Sequence, residues 1–200
     1  MWSHLVKDWY FNVITHQAFE QLPAPGGPKP SGTNQLVANP QQLLASGGIL
    51  ADDMGLGKTL QTISLIVTGG DGGNGKTLIV CPLGVMSTWA EQIAQHVRPE
   101  HRLRVLIYHG SRTTHRSQSA FAAEIEDYDV VVTTYGKLRP DNEVFQRTLA
   151  AVEWRRVILD EGHNIRNSGT NAARGACALK AKSRWVLSGT PMYVLTPKIQ

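Results

Sequence analysis

Two hundred residues, 42% of them hydrophobic, suffice for one domain with a sizeable core and are too few for a two-lobed motor of the usual size. Twenty Lys and Arg against 16 Asp and Glu leave a net charge of +4, which permits contact with a polyanion without demonstrating it. The two cysteines, Cys81 and Cys177, lack metal-ligand spacing and make no disulfide framework, and no apolar run approaches the roughly 20 residues that cross a bilayer, so the chain reads as soluble and intracellular.

In chain order, the first 20 residues carry an aromatic cluster (Trp2, Trp9, Tyr10, Phe11) that reads as a docking strip. Residues 22 to 42 are rich in Pro, Gly, Asn and Gln without an apolar period and read as a loop. A boundary is therefore expected at residue 46, with an N-terminal extension before it and one folded domain over 47–200. Short apolar runs then recur: Ile49 to Ala51, Leu78 to Val80, Val105 to Ile107, Val130 to Val132, Val157 to Leu159 and Trp185 to Leu187. Continuous β-branched runs of this kind suit strands buried on both faces. Between them lie segments of helical period, the clearest being the stripe Val85, Met86, Trp89, Ile93 and Val97, which places Trp89 in the core. Strand and helix in alternation predict an α/β fold, a mostly parallel sheet with helices on both faces and ligands at the carboxyl ends of the strands. Gly69 to Gly75 reads as a flexible surface turn.

Two stretches compete as the phosphate-binding loop. The strict pattern, Gly, four residues, Gly, Lys, Thr, occurs at Gly70 to Thr77, but there it follows a helix and runs into a strand. A phosphate loop needs the opposite order, because its backbone N–H groups and the following helix N-terminus must face the phosphates together. Asp52-Asp53-Met54-Gly55-Leu56-Gly57-Lys58-Thr59 lacks the leading glycine yet follows the strand Ile49 to Ala51 and opens the periodic segment Leu60, Ile63, Leu65, Ile66. The residues Asp53 to Thr59 are therefore expected to cradle phosphate, with Lys58 on the β and γ oxygens and the Thr59 hydroxyl on magnesium.

The strand Val157 to Leu159 ends in Asp160-Glu161-Gly162-His163. Adjacent carboxylates there suit a nucleoside triphosphatase, Asp160 holding magnesium through its water shell and Glu161 orienting and deprotonating water. His163 beside them is either a coupling residue or a plain loop histidine. Ser188-Gly189-Thr190-Pro191 follows the last run; Ser188 and Thr190 can sense the γ-phosphate, and the same turn is also an ordinary strand terminator.

The ordered set GGILADDMGLGKT (47–59), TLIVCPLGVMSTW (77–89), DVVVTTYGKL (129–138), WRRVILDEGHNIRN (154–167) and RWVLSGTP (184–191) resembles the first RecA-like lobe of the Swi/Snf-type DNA translocases, P-loop NTPases of helicase superfamily two. Asp-Glu-Gly-His in place of the commoner Asp-Glu-Ala-His, with Trp9 to Thr15 upstream, looks like the subgroup of helicase-like transcription factor and its fungal DNA-repair relatives. The resemblance implies ATP and Mg2+ at Gly55, Gly57, Lys58 and Thr59, with Asp160 and Glu161 completing hydrolysis. It also implies that Pro82 to Trp89, Ser87 included, and Thr133, Thr134 and Tyr135 face the backbone of duplex DNA, and that the protein works in the nucleus in chromatin remodelling or repair, with chromatin or repair proteins as partners. The family pattern continues into a second lobe carrying an arginine finger, a group worth about 10³ to 10⁵ in rate. This chain reads Met192-Tyr193-Val194-Leu195 after the Thr-Pro and ends at Gln200, so it is expected to be a fragment or short form, weak or inactive alone as an ATP hydrolase. The alternative is a non-catalytic module that binds nucleotide, DNA or a partner through the face the second lobe would cover. The glutamine-containing element that reads adenine in the family is not matched; Gln17 is a poor substitute.

Overall fold

The computed structural model describes residues 47–68, 75–110 and 117–189, together with the backbone of three strands between residues 2 and 19. The chain divides into two compact units, Met1–Ser46 and Gly47–Gln200. In the first, β1 (Trp2–Val6), β2 (Trp9–Asn12) and β3 (Gln17–Phe19) pair antiparallel in that order. The aromatic stretch read as a docking strip is thus drawn into a small sheet with Trp9–Asn12 as its middle strand. The Pro/Gly-rich segment 22–42 and residues 69–74 lie outside the described residues.

The second unit contains β4 (Gly47–Leu50), α1 (Lys58–Thr68), β5 (Thr77–Cys81), α2 (Met86–His96), β6 (Val105–Ile107), α3 (Gln118–Glu126), β7 (Val130–Thr134), α4 (Glu143–Arg147), β8 (Glu153–Asp160), α5 (Asn171–Ala178) and β9 (Lys180–Leu187). Its six strands form one sheet in the order β4-β9-β8-β5-β7-β6, and every pairing is parallel. Alternation along the strands sorts side chains to two cores, as the pleat requires. Leu78, Val80, Val131, Val157 and Leu159 face one core with Phe121 and Ile125 of α3, Phe145 of α4 and Ala176 of α5. Ile79, Cys81, Val130, Val132 and Ile158 face the other with Ile63 and Ile66 of α1 and Met86, Trp89 and Ile93 of α2. This is the α/β architecture expected from the alternating runs, with both sheet faces covered.

Local chemistry sets the element ends. Ser117 and Thr170 cap α3 and α5, each hydroxyl accepting from the backbone N–H three residues on at 3.2 Å. Gly47, at φ 139°, lies so close to β9 that a Cβ there would fall 1.7 Å from the Arg184 carbonyl oxygen; only glycine lets this edge strand pair. In α1 the inward face is Thr62, Ile63 and Ile66, while Leu60, expected on the apolar stripe, is 46% exposed. The register puts Leu50, Asp160 and Leu187 level with one another, so the segments after β4, β8 and β9 emerge together at one edge of the sheet.

Candidate functional site

The segment between β4 and α1 turns sharply at Gly55 (φ 87°) and Gly57 (φ 78°), left-handed backbone that disfavours any residue with a Cβ. A methyl added at either would touch nothing within 4 Å, so conformation, not space, demands the glycines, and the cradle they form is open. The Leu56 N–H reaches the Asp53 carbonyl at 3.4 Å, and the first helical bond runs from the Gln61 N–H to the Gly57 carbonyl at 2.9 Å. Lys58 folds back, its Nζ donating to the carbonyls of Asp52 at 2.7 Å and Asp53 at 2.9 Å. Gln61 Nε2 donates to the Leu56 carbonyl and to Asp52 Oδ2, tying the loop to its helix. Asp53, Met54, Gly55, Leu56 and Gly57 are exposed, and Thr59 is half-buried in the first turn of α1.

Lys76, from the stretch with the stricter pattern, has a different employment. It immediately precedes β5, at the end of the sheet opposite Asp160, and its Nζ donates to the carbonyls of Glu126 (2.9 Å), the last residue of α3, and Tyr128 (3.1 Å), just past it. A cation there satisfies carbonyls that the helix end leaves unpaired.

At the end of β8, Asp160 is held by two donors. Trp89 Nε1 donates to Oδ2 at 2.8 Å, and the Glu161 N–H donates to Oδ1 at 3.0 Å. Burial raises the Asp160 carboxyl above its ordinary range, opposed by the Trp89 hydrogen bond, reinforced by the neighbouring Glu161 charge, and lowered again by the Glu161 N–H and by Lys58 across the site. Below it, burial and then the Asp160 charge push the Cys81 thiol up to about 12. The Tyr135 hydroxyl donates to the Asp160 carbonyl at 2.6 Å, and burial likewise raises its pKa.

Glu161 adopts φ 52°, ψ 56°, the one non-glycine residue with positive φ among those described. Its carbonyl accepts from the backbone and side-chain N–H groups of Asn164, and its Oε2 lies 3.1 Å from His163 Nδ1. The left-handed turn lifts its side chain off the strand line, leaving it about one-third exposed beside half-buried Asp160. Gly162 packs so tightly on β9 that a Cβ there would lie 2.2 Å from Val186 Cγ1.

After β9, Ser188 is fully buried and its N–H donates to the Leu50 carbonyl at 3.1 Å, extending the β4 to β9 contact. A methyl added to Gly189 would stand 3.3 Å from Met54 Cγ, so this turn abuts the phosphate-type loop. Thr190 lies outside the described residues.

The residues expected to meet DNA separate. Ser87 is exposed in the first turn of α2. Thr133 is fully buried, its hydroxyl donating to the Tyr108 carbonyl at 3.0 Å, and Thr134 is only 7% exposed. β7 lies inside the sheet between β5 and β6 with both faces covered, so in this chain these two side chains pack in the core. Trp89 is in the core as the stripe implied, yet its indole also reaches the acid pair, a role the stripe did not reveal. The usable signal was chemical, since a buried indole N–H needs an acceptor.

The donor set fits a magnesium–nucleotide pair. Among the described residues no group of three or more His, Cys, Asp or Glu converges to cage a metal. One half-buried carboxylate, a hydroxyl at a helix start and an open glycine cradle instead match an ion that keeps most of its waters and borrows phosphate oxygens. Among the same residues no helix is long and apolar enough to cross a membrane.

Comparison with known proteins gives the context. A sequence profile described as the SNF2-related domain matches residues 17–194. An ATP-dependent helicase of Schizosaccharomyces pombe is 41% identical over 165 residues, covering 73% of this chain and 16% of that protein. The DNA repair protein RAD5B of Arabidopsis thaliana is 35% identical, covering 74% and 14%, and helicase-like transcription factor of Mus musculus is 40% identical, covering 58% and 11%. The SWI2/SNF2 ATPase core of Sulfolobus solfataricus, solved in complex with double-stranded DNA, superposes with a TM-score of 0.61 at 33% identity, covering 78% of this chain and 31% of that one. The chain therefore spans less than one-fifth of the length of the first two curated relatives.

Proposed function

From the premise that this chain belongs to the SNF2-related domain family, we propose that residues 47–200 are the ATP-binding RecA-like lobe of a DNA-dependent ATPase that translocates on duplex DNA. The observation that carries the reading is the meeting, at one sheet edge, of the Gly55/Gly57 loop with Lys58 and the Asp160-Glu161 pair, close enough for Lys58 to act on the Asp160 charge.

In this reading the backbone of Asp53 to Gly57 cradles the phosphates, and Lys58 leaves its own carbonyls to take the β and γ oxygens. Thr59 and Asp160 would hold Mg2+, which would neutralise charge on the phosphates. Glu161, displayed by its left-handed turn, orients the attacking water and takes its proton, while His163 steadies the Glu161 carboxylate. Ser188 and Thr190 carry the nucleotide state along β9. Ser87 contacts the DNA backbone without reading sequence. Work in chromatin remodelling or repair, in the nucleus, is proposed for the whole protein of which such a lobe is part; the DNA-repair name of one relative supports the repair half of that reading.

A second reading has one observation in its favour. Met54 (84% exposed), Leu56 (61%) and Leu83 (62%) leave large apolar side chains bare on segments that follow strands. An apolar edge of that kind suits a module whose task is to bind a partner.

The test compares Lys58→Ala with Lys76→Ala in a fluorescent-ATP titration with Mg2+. Lys58→Ala should abolish binding. Lys76→Ala should retain it and instead lose about 1 kcal/mol of stability with its helix-end hydrogen bonds. Loss of binding in Lys76→Ala with retention in Lys58→Ala would overturn the reading. Nucleotide binding by neither the parent chain nor its variants would favour the partner-binding module.

A further inference from the structure

Trp89 is 2% exposed and sits on α2 in the same core cluster as Ile63, Met86, Ile93 and Ile158. Those neighbours explain its ring but not its nitrogen. The indole N–H spans 71 residues of sequence to reach Asp160 Oδ2 at 2.8 Å. The other oxygen takes the Glu161 N–H at 3.0 Å, and the strand end below is pinned by the Tyr135 hydroxyl on the Asp160 carbonyl. With one donor on each oxygen the plane of the carboxylate is fixed, and its remaining lone pairs are left for other partners. Without the indole, the carboxylate would keep the Glu161 N–H at 3.0 Å on one oxygen and lose the donor on the other.

We propose that Trp89 is a positioning residue of the nucleotide site, whose indole N–H orients the Asp160 carboxylate for magnesium and ties α2, the helix that displays Ser87, to that carboxylate. The proposal rests on the reading of Asp160 as the magnesium-side acid. It separates two jobs that a buried tryptophan merges: filling the core, which any ring of similar shape can do, and donating one hydrogen bond, which only the indole can do.

The test uses the 200-residue chain with Trp89→Phe and, to keep the full bicyclic shape, Trp89 replaced by 3-benzothienylalanine, which has sulfur in place of N–H. The readout is the Mg2+ concentration that half-maximally tightens binding of a fluorescent ADP, alongside the Mg2+-free affinity. Both replacements should raise the half-maximal Mg2+ concentration by about tenfold, the size of one lost hydrogen bond to a charged group, while leaving the Mg2+-free affinity within about twofold. In 15N-labelled wild-type chain, the indole N–H signal that disappears in Trp89→Phe should shift when Mg2+ joins bound ADP. Asp160→Asn serves as the reference. If Asp160→Asn moves the Mg2+ dependence and the benzothienyl chain does not, the positioning role is refuted. If Asp160→Asn moves nothing, the assignment of Asp160 fails and the proposal falls with it.

Discussion

Replacing Gly162 by Ala would place a Cβ 2.2 Å from Val186 Cγ1, well inside the 3.5 to 4.0 Å at which carbon atoms settle. Val186 belongs to β9, and its β-branched side chain has few rotamers with which to yield. Gly162 has no positive φ, so the backbone itself accepts alanine and the penalty is one of packing. Overpacking of this kind costs about 1 to 3 kcal/mol, and the stiffer unfolded chain of an alanine variant offsets about 0.4 to 1 kcal/mol of it. The net loss of about 1 to 2 kcal/mol corresponds to a fall of about 2 to 8 °C in melting temperature for a domain of this size. Thermal melts of Gly162→Ala, Val186→Ala and the double variant close a cycle. The double variant should be more stable than the sum of the single losses by about 1 kcal/mol, because the methyl that clashes is the one removed. A Gly162→Ala chain as stable as its parent, or losses that simply add, would refute the argument.

Two further outcomes follow from burial at the same sheet edge. Cys177 is exposed and Cys81 buried with its thiol held up at about 12, so an alkylating reagent at mildly basic pH should label one site in the folded chain and two in denaturant; fast labelling of Cys81 in the folded chain would contradict its packing. Asp160 is raised above its ordinary range by burial, so the folded chain holds this proton more tightly than the unfolded one. Its contribution to stability is complete at pH below the unfolded value and disappears as pH rises through the raised value. In Mg2+-free buffer the melting temperature of Asp160→Asn, relative to the parent, should therefore climb between acidic and neutral pH, and a difference that ignores pH would show that desolvation is not the cause.

The six strands of the second unit were legible because each contains a short apolar run, whereas β1–β3, read as a docking strip, were not; the strand-to-helix order at β4 and α1 was legible from the apolar period that follows Thr59. Lys76 shows the limit of a text pattern: its match is real, but the amine caps a helix far along the chain, and no local signal records that partner. Thr133 and Thr134 make a related point. A threonine at the end of a strand reads as a surface hydroxyl, whereas the strand order, set by pairings distant in sequence, seals β7 on both sides. The left-handed turn at Glu161 and the indole bond to Asp160 escaped the sequence because both are fixed by tertiary packing rather than by neighbouring residues. Gly162 was visible as a departure from Asp-Glu-Ala-His, and its reason lies across the sheet, in Val186.

The two carbonyls that hold Lys58 make the loop itself a rival for that cation. A guest gains that ammonium only by replacing both oxygens, and its apparent affinity is scaled down by the fraction of loops in which the lysine is free. If the loop takes phosphate as proposed, a diphosphate or triphosphate would carry enough oxygens along its length to do so while still filling the glycine cradle, and a monophosphate would have to choose between the two. On the proposed reading, these two carbonyls would favour a longer phosphate chain over a monophosphate, ahead of any recognition of the base.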